Sequence, residues 1–158
     1  MKIKTEKNFL DKNYFDELLS KILESNFFYR DSVSYDDIKD GYYFTHNIFS
    51  DYETKSPLFD DIIPILDKLK VKSLYRIKIN MYPQTHKIIE HGQHVDANFK
   101  CNVFLLSLNT CNGYTRIGKN TIIPSTENEG IFFKSDILHN STTCTDKNIR
   151  LNMNFNYF

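Results

Sequence analysis

The second half of the sequence alternates apolar with polar residues in short segments, and this period of two constrains the fold more than any other feature. The last segment sets Ile149, Leu151, Met153, Phe155 and Tyr157 against Arg150, Asn152, Asn154 and Asn156. The other segments are SLYRIKINMYP, FKCNVFLLSL, YTRI, TII, GIFFK and LHNSTTC. Together they predict about seven or eight short strands from residue 73 to the end.

The first part of the chain has the apolar period of a helix instead. Apolar residues predict an amphipathic helix near residues 9–25, and a second helix from Ser56-Pro57 to Leu69. Pro64 lies inside the second helix, so we expect a kink or a split there. Helices followed by strands indicate an α+β domain built on an antiparallel sandwich or jelly roll. The 158 residues predict a single domain, with 1–72 as mainly helical support and 73–158 as the core.

Composition excludes several classes of protein. A hydrophobic content of 41% argues against disorder, and no apolar run approaches the roughly 20 residues of a membrane span. Twenty basic and twenty acidic residues cancel, so the net charge gives no attraction to nucleic acid. The first residues carry no secretory signal, and three cysteines without a C-x-x-C spacing suit a reducing compartment. We therefore expect a cytoplasmic protein without a membrane or nucleic-acid partner.

The polar face of the last segment carries an arginine and three asparagines where a solvated face would be expected to use lysine. Asparagine forms strands poorly, and its amide suits the inside of a polar cavity. A solvated edge strand would also account for the pattern, and the sequence alone leaves both interpretations open.

A candidate metal site begins with His94 and Asp96, which an extended chain places on one face. His139 follows 43 residues after Asp96, and Arg150 lies 11 residues beyond His139. Two histidines and one carboxylate with open coordination positions form the facial triad of non-haem Fe(II) oxygenases. An arginine fork suits the distal carboxylate of a chelating 2-oxo acid. The alternative, a zinc site at His91-x-x-His94, leaves Asp96 unexplained and has no cysteine nearby.

Five stretches taken in order resemble the Fe(II)- and 2-oxoglutarate-dependent dioxygenases, specifically the prolyl-hydroxylase-like branch in its compact bacteriophage or bacterial form. They are MYP, HGQHVDAN, FLLSLN with NGYTRI, SDILHNST and RLNMNFNYF, within residues 74–158. The sequence departs from the family pattern at Asn112, where a first glycine is usual before Gly113. It departs again at Ser107 in place of a tyrosine and at Asn156 in place of a tryptophan.

The resemblance implies a double-stranded β-helix (jelly-roll) core with the N-terminal helices packed on one sheet. It implies that His94, Asp96 and His139 bind Fe(II), that Arg150 pairs with the C5 carboxylate of 2-oxoglutarate, and that Tyr82 and Asn154 contact the same cosubstrate. The implied reaction hydroxylates a substrate C–H bond with O2 while 2-oxoglutarate becomes succinate and CO2. Ascorbate would serve as a reductant.

Two other readings stay open beside an active hydroxylase. One is a non-catalytic jelly-roll module with a binding or structural role, and the other is a cupin-type metal site without 2-oxoglutarate. The sequence does not identify the substrate, which is either a protein side chain such as prolyl or a small molecule. It does not give the oligomeric state either. Recognition is expected from the N-terminal helices and the loops around 31–56 and 83–93.

Other residues have ordinary interpretations beside functional ones. Arg76 and Lys78 either touch substrate at the mouth of the barrel or lie on a solvated face. His46 is interpreted as a surface or hydrogen-bonded structural histidine. The acidic cluster of Asp36, Asp37 and Asp40 is interpreted as a solvated loop or the start of a helix.

Overall fold

A computed structural model describes residues 3–33 and 41–158, and the acidic cluster at Asp36, Asp37 and Asp40 lies outside them. The helices are α1 (Lys12–Leu23), α2 (Leu58–Asp61) and α3 (Ile63–Leu69). The strands are β1 (Lys4–Glu6), β2 (Phe28–Arg30), β3 (Tyr43–Ser50), β4 (Glu53–Thr54), β5 (Leu74–Pro83), β6 (Asn102–Ser107), β7 (Cys111–Ile117), β8 (Thr121–Ser125), β9 (Glu129–Lys134), β10 (His139–Ser141) and β11 (Ile149–Tyr157). In the described ranges, none of the helices is long and apolar enough to cross a membrane.

The strands form two antiparallel sheets. The major sheet has the order β1-β9-β6-β11-β5-β3-β2, with β4 paired to β3, and the minor sheet has the order β10-β7-β8. The side chains of Val103 and Leu105 on β6 and of Ile131 on β9 pack against Ile117 and Ile123 of the minor sheet. This two-sheet arrangement confirms the predicted α+β class with a jelly-roll core.

The helices cover the opposite face of the major sheet. Phe15, Leu18 and Ile22 of α1 are buried, and they belong to the larger hydrophobic cluster that includes Phe104 and Phe155 from the sheet. Alternate residues of one strand therefore serve two cores, because successive side chains on a strand point to opposite faces. The larger core lies between helices and sheet, and the smaller one lies between the two sheets.

The predicted helix from residue 56 to 69 is split in two, as its internal proline led us to expect. The break comes at Ile62, and Pro64 occupies the first turn of α3. A proline is tolerated there because the first amides of a helix have no partner within it. The observed helix α1 is shorter than the predicted 9–25, and Asp11 caps it through the backbone amides of Asn13 and Tyr14.

Residues 1–72 also contain four strands, β1 to β4, that the sequence pattern did not predict. β3 is the important one, because it pairs with β5 inside the major sheet. Its pairing register shifts between Asn47 and Phe49, and this irregularity interrupts the alternation that would have marked it as a strand.

β11 lies inside the major sheet, between β5 and β6. The interpretation of this segment as a solvated edge strand is therefore wrong. Arg150, Asn152, Asn154 and Asn156 are all buried. They face the interior on the side of the sheet that does not carry the helices, and this placement makes the interior of the barrel polar.

Candidate active site

Backbone hydrogen bonds bring together the side chains of His94, Asp96 and His139. They join the segment 94–96 to β10 of the minor sheet and to the loop before β10. His94 and His139 form an isolated antiparallel bridge, with N–H to carbonyl distances of 2.9 and 3.0 Å. The amide of Asp96 donates to the carbonyl of Ser135 at 3.2 Å. As a result, one potential ligand atom from each of the three side chains lies within 4.8 Å of the other two.

The Asp96 carboxylate is held in place by three donors from the major sheet. Arg76 Nη2 donates to Oδ1 at 3.0 Å, while Asn156 and Asn154 donate their amides to Oδ2 at 2.9 and 3.2 Å. Burial by itself would raise the pKa of Asp96, but the positive charges of His139 and Arg76 hold it far below its usual range. The carboxylate is therefore an oriented anion.

The two imidazoles are arranged as metal ligands. Nδ1 of His139 donates to the carbonyl of Ile137 at 2.9 Å, and Nδ1 of His94 donates to that of Gly92 at 3.3 Å. This bonding leaves the lone pair of Nε2 available on each ring. Burial, and then the charge of His139, lowers the pKa of His94 to about 4, so its ring is neutral at pH 7. A neutral imidazole is the form that binds a metal.

Arg150 lies at the other end of the same interior and is 1% exposed. Its Nη1 donates to the carbonyl of Thr142 at 3.1 Å and its Nη2 to Oγ1 of Thr115 at 2.8 Å, while Nε has no partner. Among residues 3–33 and 41–158 no carboxylate pairs with it. Gly113 makes room for this side chain, because a Cβ there would lie 2.6 Å from Cδ of Arg150.

Tyr82 lies next to Arg150, whose guanidinium carbon is 5.6 Å from the centre of the tyrosine ring. The ring stacks between Tyr43 and His91, at centroid distances of 5.5 and 5.1 Å. Burial raises the pKa of the Tyr82 hydroxyl, so the group is protonated and can donate a hydrogen bond.

A polar ladder joins the two ends of the site across the β5–β11 pair. Its rungs are Tyr82 with Arg150, Asn80 with Asn152, Lys78 with Asn154 and Arg76 with Asn156. Residues from this ladder line a cavity together with His94, Asp96 and His139. The ladder therefore joins the buried arginine to the candidate metal site.

Several solved structures have a fold similar to that of this chain. A prolyl-4-hydroxylase from Pseudomonas putida matches with a TM-score of 0.69 and 13% identity, over 98% of this chain and 91% of that one. A 2OG-Fe(II) oxygenase family oxidoreductase from Burkholderia pseudomallei matches with a TM-score of 0.73 and 14% identity, over 98% and 84%. The α-ketoglutarate-dependent epimerase SnoN of nogalamycin biosynthesis matches with a TM-score of 0.71 and 12% identity, over 99% and 77%. No family profile and no curated protein matches the sequence.

The chain has the fold of the 2-oxoglutarate- and Fe(II)-dependent oxygenases. This likeness spans nearly the whole chain, so the N-terminal helices and β3 belong to the oxygenase fold together with the jelly-roll core. The fold predicted from the five sequence stretches in the second half is confirmed.

Two of the other histidines, His91 and His46, have structural contacts. His91 is buried against Tyr82, and its Nδ1 lies 2.9 Å from Oγ of Ser141, so it is not part of the three-residue cluster. The zinc interpretation of His91-x-x-His94 therefore has no support in the geometry. His46 is hydrogen-bonded through both nitrogens, to the carbonyl of Asn26 and the hydroxyl of Ser56, each at 2.7 Å.

Sequence reasoning did not identify the residues that orient Asp96. Arg76 was assigned to substrate or solvent, and the structure shows that it binds the carboxylate. Asn156 was noted only as a departure from a family tryptophan, and Asn154 was expected to reach the cosubstrate, whereas both donate to Asp96. The alternation of β5 and β11 placed all three on the correct face, and that shared face was the available signal.

Proposed function

We propose that this protein is a 2-oxoglutarate-dependent Fe(II) oxygenase that hydroxylates a substrate C–H bond and converts 2-oxoglutarate to succinate and CO2. The observation that carries the proposal is the buried guanidinium of Arg150. It has no anionic partner among the described residues, and its strand partner Tyr82 lines the same polar cavity as His94, Asp96 and His139. A buried charge without a partner is costly, so a bound anion is expected there.

The residues fit the implied metal. Two imidazoles and one carboxylate are the facial ligand set of Fe(II), and three coordination positions remain for a bidentate oxo acid and O2. Bound Fe(II), 2-oxoglutarate and O2 would supply the oxidising power of the reaction. Ascorbate is expected only as a reductant that keeps the iron in its ferrous state.

The residues around Arg150 fit the implied cosubstrate as well. The guanidinium offers a fork that matches a carboxylate, and Thr115 and Thr142 fix its orientation from behind. The neutral hydroxyl of Tyr82 is close enough to Arg150 to donate to the same carboxylate. We assign Asn154 to orienting Asp96 and to lining the cavity in which the cosubstrate would lie.

Other interpretations of the site explain fewer of its features. A cupin-type metal site explains the three ligands but gives no partner to Arg150. A module without turnover explains neither the clustered imidazoles nor the oriented carboxylate. The substrate class is also part of the proposal. The similarity to a prolyl-4-hydroxylase suggests a prolyl or other protein side chain, and a small molecule is the alternative.

The test is an anaerobic titration of the protein with Fe(II) and then with 2-oxoglutarate, followed by visible absorption. Chelation of Fe(II) by a 2-oxo acid gives a weak metal-to-ligand charge-transfer band, which we expect here. His139→Ala should abolish it, while His86→Ala is the matched control because His86 is exposed and outside the cluster. Iron binding without the band would support the cupin-type reading, and no iron binding would support the module without turnover.

A further inference from the structure

Lys78 extends from β5 into the cavity beside the candidate metal ligands. It is half-buried, and among the described residues no carboxylate lies within ion-pair distance of its ammonium group. The ring of Tyr43 lies near its ammonium group, with the ring centre 5.9 Å from Nζ. Asp96 faces the same cavity, but Arg76 is already paired with that carboxylate. A partly desolvated ammonium without a counter-ion favours a bound anion.

Lys78 opens onto a cleft of about 430 Å³ that leads outward from His94 and Asp96. The lining of the cleft also includes Arg30 and, next to it in the chain, the acidic residue Asp31. With Arg76 and Asp96 paired to each other, the described wall presents the cations Lys78 and Arg30 against the single carboxylate of Asp31. The electrostatic potential of the cleft therefore favours a negatively charged ligand.

This cleft adjoins the inner cavity and shares Lys78, His94 and Asp96 with it. Tyr82 lines the inner cavity and not the cleft, whereas Arg30, Thr45 and Asn47 line the cleft and not the inner cavity. Lys78 pairs with Asn154 in the sheet register, four residues along β11 from Arg150. An anion held by Lys78 would thus lie where the cleft meets the inner cavity.

We propose that this cleft binds the substrate and that the substrate carries a carboxylate which pairs with Lys78, close to the carbon that is oxidised. The inference rests on the proposed oxygenase function and narrows its substrate class. Two sources offer this chemistry, a free organic or amino acid and an acidic side chain in a peptide. Arg30 at the mouth of the cleft attracts either of them, and Lys78 fixes the carboxylate beside the metal.

The anion site can be tested without knowing the substrate. Crystals of the Zn(II) and 2-oxoglutarate complex would be soaked in sodium iodide, and iodide located by its anomalous scattering. We expect iodide next to Nζ of Lys78 in the wild type and in Lys72→Met, whose lysine is exposed and outside the cleft, and no iodide there in Lys78→Met. A wild-type site without iodide, or iodide that persists in Lys78→Met, would overturn the proposal.

The substrate class is tested by turnover with isotopically labelled O2. One arm supplies a small-molecule extract, the other a peptide library with acidic, neutral and basic members, and labelled products are identified by mass spectrometry. We expect labelled products that contain a carboxylate. We also expect kcat/KM for them to fall by roughly 30-fold or more in Lys78→Met, with partial recovery in Lys78→Arg. A neutral or basic substrate, or an unchanged kcat/KM in Lys78→Met, contradicts the proposal.

The charge-transfer titration separates this inference from the proposed function. If wild-type protein gives no band, the oxygenase function itself has failed. If the band forms but Lys78→Met requires much more 2-oxoglutarate to produce it, Lys78 serves the cosubstrate and the substrate assignment is overturned. We expect the band to form in Lys78→Met at the same 2-oxoglutarate concentration as in Lys72→Met.

Discussion

Arg76 on β5 donates to Asp96 Oδ1 at 3.0 Å, so the strand that forms the floor of the cavity also orients the carboxylate of the candidate metal site. Arg76 donates through Nε to the side-chain oxygen of Asn156 at 3.2 Å, and the amide of Asn156 donates to Asp96 in turn. Two side chains from neighbouring strands thus form a closed network with the Asp96 carboxylate. Asp96 belongs to a loop, and this network gives it the fixed position that a loop alone would not provide.

Replacing Arg76 tests this network. Arg76→Gln removes both the charge and the fork that orient Asp96, and loss of such an outer partner typically weakens metal binding by roughly 10–100-fold. We expect a weakening of that size in Fe(II) affinity, measured anaerobically by competition with a chelator. Arg76→Lys should restore part of the affinity, because it keeps the charge and loses the fork. Equal affinities in the wild type and Arg76→Gln would show that the network does not support the metal.

Arg150→Lys tests the cosubstrate end of the cavity separately. An ammonium cannot bond Thr142 and Thr115 while presenting a planar fork to a carboxylate, so 2-oxoglutarate should bind more weakly by roughly 10-fold or more. Iron affinity should stay the same, because Arg150 is not part of the three-ligand cluster. Calorimetric titrations under argon, of the metal-free protein with Fe(II) and of the Fe(II) form with 2-oxoglutarate, measure the two affinities. An unchanged 2-oxoglutarate affinity would remove Arg150 from its proposed role.

Local pattern was enough to predict the strands that carry this site. β5 and β11 alternate cleanly, so the side on which Arg76, Lys78 and Arg150 lie followed from the sequence. The position of β11 between β5 and β6 did not follow, because alternation defines the faces of a strand and not its neighbours. That position is what turned the run of asparagines from a solvated edge into a buried polar wall.

The contacts between distant segments could not be predicted either, because alternation defines the faces of a strand and not which segments pack against it. Arg76 and Asp96 are 20 residues apart, and their contact depends on how the loop after β5 folds back over the sheet. β3 was missed because its irregular pairing with β5 hides a period of two. Tyr43, which packs against Tyr82, was therefore not recognised as part of the cavity wall.

Glu90 should make the stability of the protein depend on pH in the acid range. It accepts hydrogen bonds from Arg116, from Asn140 at 3.0 Å and from Tyr114 at 2.8 Å, which fastens the loop after β5 to the minor sheet. Arg116 is the largest cause that lowers the pKa of Glu90 to about 2. Because the folded pKa lies below the unfolded value, the stabilisation is complete above about pH 4.5 and is lost as the pH falls toward 2.

Denaturant unfolding of the wild type and Glu90→Gln checks this expectation. The Glu90 side chain is 34% exposed, so we expect the variant to be less stable at pH 7 by no more than about 1 kcal/mol. The difference should shrink at pH 3, because the Glu90 carboxylate of the unfolded chain is then largely protonated while the folded one, with its pKa of about 2, is still ionised. Glu127→Gln, an exposed glutamate, serves as the control. A difference that stays constant from pH 7 to pH 3 would mean that the charge of Glu90 does not contribute.

The close contact between Gly130 on β9 and Phe104 on β6 predicts a specific coupling in the core. A Cβ at position 130 would lie 2.3 Å from the Phe104 ring, and that ring is fully buried. We expect Gly130→Ala to destabilise the protein by about 1–3 kcal/mol, because the ring must leave its packed position. The cost should be smaller in a Phe104→Leu background, which removes the colliding atoms, and unchanged in a Phe15→Leu background, whose ring is not among those contacts. Equal costs of Gly130→Ala in all three backgrounds, measured by urea unfolding, would contradict this packing.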